Sequence, residues 1–576
     1  MNRLLTAFAA VLALSASAAP YRQIHRVFCT HAEAIEAART NWPNAFGTGL
    51  IISAFSQIRG PAGVSDFGNC RDFLELFRSR GVDMQVCVGT TIGHSDRLTR
   101  PADYPKMVGT DGKAARAVAC PRAPAFLAHL REVYARYAAL KPSVVWIDDD
   151  LRMIYHPPVD YGCFCADCLR RFGEETGLRF DRKGLVRALK AGETSDGRSV
   201  RTAWRDYNVR ALNEVVRAVA EAVHGVDPAI SVGIMFCNYN NPRGGFYAPP
   251  DYKTWIDLCT ASGAKVWFRH GSGCYRDYTP YDDRNGLIAK NIQIARACAA
   301  TEGERVVNLT EEVTAPYIRR TKSMRMTFLE AVLNVGMAGA EGTTYDAVKP
   351  NLGEQLKPNA VVAEMHRRYP ELDRMLALIR GKRQLGLYPN RLPDPWLKKG
   401  KVEKLIELCD PGEERWRNLI YLGIPITFRL ADAAVVVENR WKDPKVRRKG
   451  AKTGEPLAAE WLKALSWAGG EAVKDQLDRI AGGRMPSRAD SAVRVGQSVW
   501  ESPDGTERTV FVYNFDFDDA DDVRLTEDGT FSAEALEADG SWTPLGTGDV
   551  FAVPTVPAWS AKVLRLRRNA NQGKGK

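Results

Sequence analysis

Between residues 22 and 350 the sequence alternates short β-rich runs with longer helical stretches, and this alternation constrains the fold more than any other feature. Eight strand candidates follow one another in order: Gln23–Phe28, Gly49–Ala54, Asp83–Val88, Ser143–Ile147, Ile230–Phe236, Lys265–Phe268, Arg305–Leu309 and Gly342–Tyr345. Helical patterns lie between them, as in Ala123–Leu140, where apolar side chains recur at i, i+3 and i+4. Eight strand–helix units in succession predict an α/β fold of the (β/α)8 TIM-barrel type.

An open, doubly wound α/β sheet is the alternative interpretation of the same alternation. Such sheets often carry a glycine-rich phosphate-binding turn after the first strand, and no Gly-x-Gly-x-x-Gly motif follows Phe28. The pattern therefore favours the closed barrel.

The chain beyond the barrel changes character twice. A boundary rich in Pro, Lys and Arg falls near Gly381–Gly400, and from about Val493 short β-rich runs alternate with Asp-Gly and Gly-Thr-Gly turns. These runs predict four short strands, at Thr509–Asn514, Asp522–Leu525, Ala533–Leu536 and Ala561–Leu566. The sequence thus predicts a barrel over residues 19–380, a smaller α/β domain of Rossmann or flavodoxin type over 381–490 and a β-sandwich over 491–568. Residues 569–576 are predicted to be a disordered tail.

The first 18 residues are typical of a secretory signal. Arg3 precedes a short apolar stretch, and Ala16-Ser-Ala18 fits a cleavage site. No later stretch reaches the length needed to cross a bilayer, so membrane insertion is not expected once the signal has been removed. The predicted location is periplasmic or secreted.

The formal net charge is +11, but the basic residues are spread along the chain. A nucleic-acid-binding protein would concentrate that charge, whereas here the clusters are a modest run at Arg440–Lys452 and a basic tail. The composition predicts a solvated cationic surface and no nucleic-acid partner. An acidic polysaccharide substrate is the alternative explanation of the charge.

Four cysteines form a candidate metal site. Cys163, Cys165 and Cys168 lie within six residues, and Cys120 stands upstream in Ala-Cys-Pro-Arg-Ala-Pro. The three clustered thiols are too close together to pair comfortably with one another. Three local thiolates and one remote thiolate fit the tetrahedral pattern of structural zinc. Disulfides or free thiols are the alternative, since the chain is expected to be exported.

Polar side chains follow the ends of the predicted barrel strands, where TIM barrels build their sites. The candidates are Asp148, Asp150 and Arg152 after the fourth strand, Glu311 after the seventh, and His94, Asn238, Trp267, Arg269 and Tyr275 around other strands. Two facing carboxylates are what glycoside hydrolysis requires. Because neighbouring residues of a strand point to opposite faces, Asp148 and Asp150 are predicted to share a side, and only one of Glu311 and Glu312 to face the pocket.

Several of these residues have a second interpretation. Arg152 is equally compatible with a structural ion pair to Asp149, Trp267 with a place in the barrel core, and His94 with a structural role. A catalytic metal held by the aspartates and nearby histidines is disfavoured, because no His-x-His or His-Glu-x-x-His spacing is present.

Two sets of motifs resemble known glycoside hydrolases. The order of Cys120-Pro-Arg-Ala-Pro, a helix, a strand ending in acid and Cys163-Phe-Cys165-Ala-Asp-Cys168 resembles glycoside hydrolase family 42, the zinc-bearing β-galactosidases. Trp146-Ile-Asp-Asp-Asp-Leu-Arg152, Arg269-His-Gly-Ser-Gly-Cys-Tyr275 and the segment from Glu311 to Ser323 are more similar to the β-mannosidases of family 164. The motifs span about residues 45–350, and the domain order extends the resemblance to the whole chain.

The resemblance implies a retaining exo-β-glycosidase that acts on β-mannosides or β-galactosides, with no organic cofactor. It makes Glu311 the nucleophile and Asp148 the acid/base, and it implies a trimer assembled through the region 381–490. The family has Glu at the acid/base position, and Asp is one methylene shorter, so Asp150 is the second candidate. A carbohydrate-binding barrel with an impaired site, and a scaffold held together by oligomer contacts, are the alternatives from other classes.

Overall fold

The computed structural model describes residues 20–28, 49–54, 67–93, 104–236, 248–271, 286–311, 323–346, 356–390, 400–405, 419–438, 445–456 and 467–568, apart from single positions inside these ranges. The strands of the first half are β1 (Arg22–Phe28), β2 (Gly49–Ala54), β3 (Met84–Val88), β4 (Lys106–Val108), β5 (Ala114–Ala119), β6 (Val144–Ile147), β7 (Thr194–Ser195), β8 (Arg198–Ser199), β9 (Ser231–Met235), β10 (Val266–His270), β11 (Val306–Thr310) and β12 (Gly342–Asp346).

Eight of these strands close into a parallel barrel in the order β1-β12-β11-β10-β9-β6-β3-β2. The ring is completed by β1, which pairs in parallel with both β2 and β12. All eight predicted strands are confirmed, with ends that differ from the prediction by no more than two residues. The open-sheet alternative is wrong, since the sheet has no edge strand.

Alternate residues of the strands fill the barrel interior. Ile24, Cys87, Val144, Trp146, Met235, Val307 and Leu309 form one buried cluster, and Trp267 packs against it. Gly233 leaves room for the largest of them, because a Cβ atom at this position would lie 2.3 Å from the Trp146 ring. The interior is therefore a packed core, and the next inward-pointing positions lie at the carboxyl ends of the strands.

Nine described helices accompany the strands. They are α1 (Pro124–Ala138), α2 (Ala166–Thr176), α3 (Arg182–Ala191), α4 (Val200–Val226), α5 (Tyr252–Cys259), α6 (Leu287–Ala300), α7 (Met324–Gly336), α8 (Leu356–Ile379) and α9 (Trp467–Ala481). None of the helices in the described ranges has both the length and the apolar composition needed to span a bilayer.

The second half of the chain builds one continuous sheet. Its strands are β13 (Arg383–Pro389), β14 (Ala433–Glu438), β15 (Lys445–Arg448), β16 (Glu455–Pro456), β17 (Ser487–Asp490), β18 (Val495–Glu501), β19 (Glu507–Asn514), β20 (Arg524–Leu536), β21 (Trp542–Ala552) and β22 (Ser560–Arg568). The order is β16-β15-β14-β13-β18-β19-β22-β20-β17, with β21 paired to β20.

This sheet joins the two regions that the sequence divides. The link is the antiparallel pairing of β13 with β18. The prediction of two separate strands at Asp522–Leu525 and Ala533–Leu536 is wrong, because residues 524–525 and 533–536 belong to the single strand β20. The division into an α/β domain and a β-sandwich stays a prediction.

The sheet lies directly against the barrel helices. Trp500 Nε1 donates to the Gly336 carbonyl over 2.7 Å, and Gln384 Nε2 donates to the Met337 carbonyl over 2.9 Å. A Cβ atom on Gly336 would lie 2.3 Å from the Tyr513 hydroxyl oxygen. A large apolar core formed by α6, α7, α8 and the sheet surrounds these contacts, so the two halves share one interior.

Candidate active site

Two carboxylates continue the inward-facing rows of their strands. In β6 the inward residues Val144 and Trp146 are followed by Asp148, and in β11 Val307 and Leu309 are followed by Glu311. Asp148 is 1% exposed and Glu311 is 7% exposed. Since β9 and β10 separate the two strands in the ring, the carboxylates approach the mouth of the barrel from different sides.

Each carboxylate has an arginine beside it. Arg26 Nη2 lies 3.2 Å from Asp148 Oδ1, and Arg269 Nη2 lies 3.6 Å from Glu311 Oε1. Alternation along the strands also directs these arginines inward, because Arg26 lies two positions after the inward-facing Ile24 and Arg269 lies two positions after the inward-facing Trp267. The mouth therefore holds two buried ion pairs rather than two isolated acids.

The Cys87 thiol lies under these charges. Burial raises its pKa well above the usual value, Asp148 acts in the same direction, and Arg26 and Arg269 oppose them. The charges that act on this thiol therefore include Asp148 and the two arginines. Cys87 is fully buried and approaches the Met235 sulfur at 3.9 Å, so it forms the apolar floor of the charged mouth.

Asp150 is directed elsewhere. It lies in the turn after β6, and its Oδ2 accepts a hydrogen bond from the Gly93 backbone N–H over 2.5 Å. Its neighbour Asp149 pairs with Arg152, with 3.8 Å between Nη1 and Oδ1. Asp148 shares the barrel interior with Glu311, whereas Asp150 joins the turn to the loop that follows β3.

Trp267 lies away from the two carboxylates. The guanidinium of Arg22 lies 5.1 Å from the centre of the Trp267 ring, and the ring meets Trp146 edge to face at 6.2 Å. Trp267 pairs in register with Val307, four residues before Glu311 on the neighbouring strand. This position near the amino ends of the strands agrees with the core interpretation and not with a sugar subsite. His94, Asn238 and Tyr275 lie outside the described residues.

Arg26 and Cys87 were not among the sequence-based candidates. Both lie inside strands that the sequence predicts, β1 and β3. Arg26 could have been found from its spacing, because it stands two positions after Ile24 and so faces the same side of the strand. It was missed because only the apolar residues of the strand were considered.

The four predicted cysteines come together. Their Sγ atoms all lie within 4.8 Å of one another, and those of Cys120 and Cys168 are 3.5 Å apart. Four thiolates around a tetrahedral ion with bonds of about 2.3 Å would be about 3.8 Å apart, so the donor set fits a bound metal. None of the cysteines in the described ranges forms a disulfide.

Local structure explains why these sulfurs meet. Cys120 ends the β4–β5 hairpin, while Cys165 caps the amino end of α2 and its Sγ accepts from the Cys168 backbone N–H at 3.4 Å. Hydrogen bonds from the other three thiols lower the pKa of Cys165. A helix start that favours a thiolate is a suitable place for a metal ligand.

Comparison with known proteins relates the whole architecture to solved structures. No family model matches the sequence, and no curated protein matches it. The β-galactosidase from Bacillus circulans sp. alkalophilus superposes with a TM-score of 0.61 at 12% identity, covering 95% of this chain and 99% of that one. A catalytic mutant of Gan42B, a GH42 β-galactosidase from G. stearothermophilus, gives 0.61 at 10% identity over 96% and 99%.

A third structure extends the likeness. The β-galactosidase from the haloarchaeon Halorubrum lacusprofundi has a TM-score of 0.56 at 14% identity, covering 94% of this chain and 98% of that one. At such low identity the shared property is the fold. The chain therefore has the TIM-barrel fold of these glycoside hydrolases.

Proposed function

We propose that this protein is a glycoside hydrolase whose site is the charged mouth of the barrel. One observation supports this proposal best. Asp148 is the next inward-facing residue after Trp146, and Glu311 is the next after Leu309, on two strands of the same closed barrel. Two carboxylates around one opening are the minimal machinery for cleaving a glycosidic bond. The structural likeness to β-galactosidases supports the same class.

We propose a retaining, double-displacement reaction. A Glu311 oxygen would attack the anomeric carbon while the bond from that carbon to the leaving oxygen breaks and the leaving oxygen takes a proton. Water would then attack the anomeric carbon of the glycosyl-enzyme, the bond from that carbon to the Glu311 oxygen would break, and the proton of the water would go to the carboxylate that acted first as acid. Glu311 is the nucleophile in this scheme because the arginine beside it favours a carboxylate anion.

Proton transfer falls to the corner formed by Asp148 and Asp150. Asp148 faces the interior with Glu311, but Arg26 favours its ionised form. Asp150 is fully buried, but its Oδ2 accepts from the Gly93 backbone N–H and the side chain turns away from the interior. Asp148 is therefore proposed as the donor on position, and Asp150 is the alternative.

Hydrolysis of a panel of aryl β-glycosides, including β-galactosides and β-mannosides, tests the function. Wild-type protein should hydrolyse at least one of them with retention, seen by NMR as the first anomer released. Replacing the donor by Asn should slow substrates with poor leaving groups far more than dinitrophenyl glycosides, and added azide should restore the latter. D148N and D150N are compared side by side, and the variant with this signature identifies the donor.

The rival function is sugar binding without catalysis, motivated by Asp where the resembled families have Glu. A wild-type protein that binds galactosides or mannosides in calorimetry but cleaves none of the panel would establish it. Inverted anomeric configuration in the first product would instead replace the double displacement by a single one.

Zinc is proposed for the cysteine cluster, with Cys120, Cys163, Cys165 and Cys168 as its ligands. With all four positions taken by sulfur, the metal would serve structure only. Metal analysis of the purified protein should give about one zinc per chain. A C168S variant with undiminished zinc content would contradict the assignment. Export guided by residues 1–18, an exo mode of attack and a trimeric assembly are further parts of the proposal, which N-terminal sequencing, product analysis and light scattering test in turn.

A further inference from the structure

We infer that Arg269 is a positioning residue that keeps Glu311 ionised and oriented, rather than a ligand for sugar hydroxyls as the sequence suggests. The inference rests on the proposed function, in which Glu311 is the nucleophile. Arg269 is 0% exposed, so its guanidinium offers no surface to a substrate. The charge that it carries is 3.6 Å from a Glu311 oxygen.

The backbone holds the pair in place from both strands. Arg269 pairs in register with Leu309, two positions before Glu311, so both charged side chains stand on the inner face of adjacent strands. The Glu311 backbone N–H donates to the His270 carbonyl over 2.9 Å, which extends the ladder one residue beyond β11. The arginine and the carboxylate are thus carried on rigid, hydrogen-bonded backbone rather than on a loop.

Electrostatics gives the pairing a chemical consequence. A carboxyl group with only 7% exposure favours its protonated form, and a protonated carboxyl cannot attack an anomeric carbon. A buried cation in contact with it reverses that preference. Without Arg269, Glu311 would be ionised only at higher pH.

The other charged groups around the mouth do not replace Arg269. Arg26 is engaged with Asp148 at 3.2 Å, and Asp148 and Asp150 are acids that oppose a second anion. Cys87 stays a neutral thiol because burial raises its pKa. His270 points to the outer side of the barrel, where Nε2 meets Asn308 Oδ1 at 2.9 Å, and burial lowers its pKa to about 4. Among the described residues, Arg269 is the cation in contact with Glu311.

The experiment compares R269M, R269K and the control R305Q. Arg305 is a matched control because it lies at the opposite end of β11, is exposed and donates to the Thr260 carbonyl at 2.8 Å. Two quantities are measured across pH: kcat/KM on an aryl glycoside that the wild type cleaves, and the rate at which a 2-deoxy-2-fluoro glycosyl fluoride labels Glu311, detected by peptide mass spectrometry.

R269M should shift the acid limb of both profiles upwards by about 1–3 pH units. Labelling at the wild-type optimum should slow by about 100-fold, as when one preorganised donor is removed. R269K retains the charge, so its acid limb should stay within about one unit of the wild type, with a lower rate because lysine lacks the planar fork. R305Q should behave as the wild type.

Two results separate failure of this inference from failure of the function. An R269M profile with an unmoved acid limb but a raised KM would make Arg269 a substrate ligand and overturn the inference alone. A wild-type protein that neither cleaves the panel nor becomes labelled overturns the function. In that case, or if R269M folds poorly, the melting temperatures of R269M and R269M/E311Q test whether Arg269 and Glu311 form an ion pair. Removal of the carboxylate charge should restore stability, and no restoration would contradict the ion pair.

Discussion

Two regions of this molecule bury arginine against carboxylates, and they do so in different ways. At the barrel mouth the pairs are Arg26–Asp148 at 3.2 Å and Arg269–Glu311 at 3.6 Å. In the C-terminal sheet Arg508 Nη1 donates to Glu527 over 2.6 Å, to Asp528 over 2.7 Å and to the Pro486 carbonyl over 2.7 Å. Both regions therefore bear the desolvation cost of buried charge.

The difference lies in connectivity and place. The cluster around Arg508 ties β17, β19 and β20 together, and Ser487 Oγ donates to Glu527 Oε1 over 2.6 Å. The pairs at the mouth are longer and lie where the barrel strands end. The Arg508 cluster joins three strands of the sheet, whereas each pair at the mouth stands at the end of the strands, where the proposed substrate would enter. The comparison predicts that mutations in the two regions separate activity from stability.

The largest effect is expected for E311Q. Loss of the nucleophile should lower kcat/KM on the best aryl glycoside by about 10⁴-fold, measured per folded molecule because the change also breaks the ion pair with Arg269. E527Q is the matched control, since it makes the same change in the sheet and should leave kcat/KM of the folded protein unchanged. Equal activity losses in both variants would erase the distinction between the regions.

R508M should reverse the pattern. Removing the cation leaves Glu501, Glu527 and Asp528 without their shared partner, which should destabilise the protein by about 3–5 kcal/mol in urea unfolding. R494M is the control, because the Arg494 side chain is 40% exposed and its pair with Asp516 should contribute less than about 1 kcal/mol. Activity per folded molecule should not change.

The pH dependence of stability sharpens the same contrast. Burial raises the pKa of Glu527 to about 7, above its usual value, despite the neighbouring Arg508. The folded state therefore binds a proton that the unfolded state has already lost, and stability should fall as pH rises from about 4.5 to 7, by about 3 kcal/mol. E527Q should remove this contribution to the slope. A slope identical to that of the wild type would place the titration elsewhere.

The smallest effect is expected for S487A. Glu527 would lose one neutral donor but keep Arg508, so the cost should be about 1–2 kcal/mol in the same urea measurement. S541A, which removes an exposed hydroxyl that donates to Asp539, should be close to neutral. A loss for S487A as large as that for R508M would show that the cluster cannot be divided into separate bonds.

Much of the fold was predictable because barrel strands are buried on both faces and read as short apolar runs between helices. The alternation of side chains along a strand placed Asp148, Glu311 and Arg269 at one end of the barrel, and the cysteine spacing indicated the thiol cluster. Arg26 was missed because its partner lies 122 positions away. For Trp267 the sequence left a sugar subsite and the barrel core both open, because only the register between strands shows how far along the barrel a residue stands.

The C-terminal sheet was harder to predict for a related reason. The polar run Glu527-Asp-Gly-Thr530 within β20 resembles a turn, so one strand was interpreted as two. In the structure its first acid is buried because Arg508, 19 positions earlier, supplies the compensating charge. Pairing of buried charges between distant positions leaves no local pattern, and a single sequence cannot reveal it.

The close approach of Tyr513 to Gly336 bears on how this chain can be handled and how it can vary. A truncation that stops after the last barrel helix would expose the apolar sides of α6, α7 and α8 to water, and such a fragment is expected to aggregate. Any residue larger than glycine at position 336 would collide with the Tyr513 and Phe511 side chains of the sheet, which would have to shift. The smallest piece suitable for expression, and the smallest unit that can be exchanged with a relative, is therefore the barrel together with its C-terminal partner.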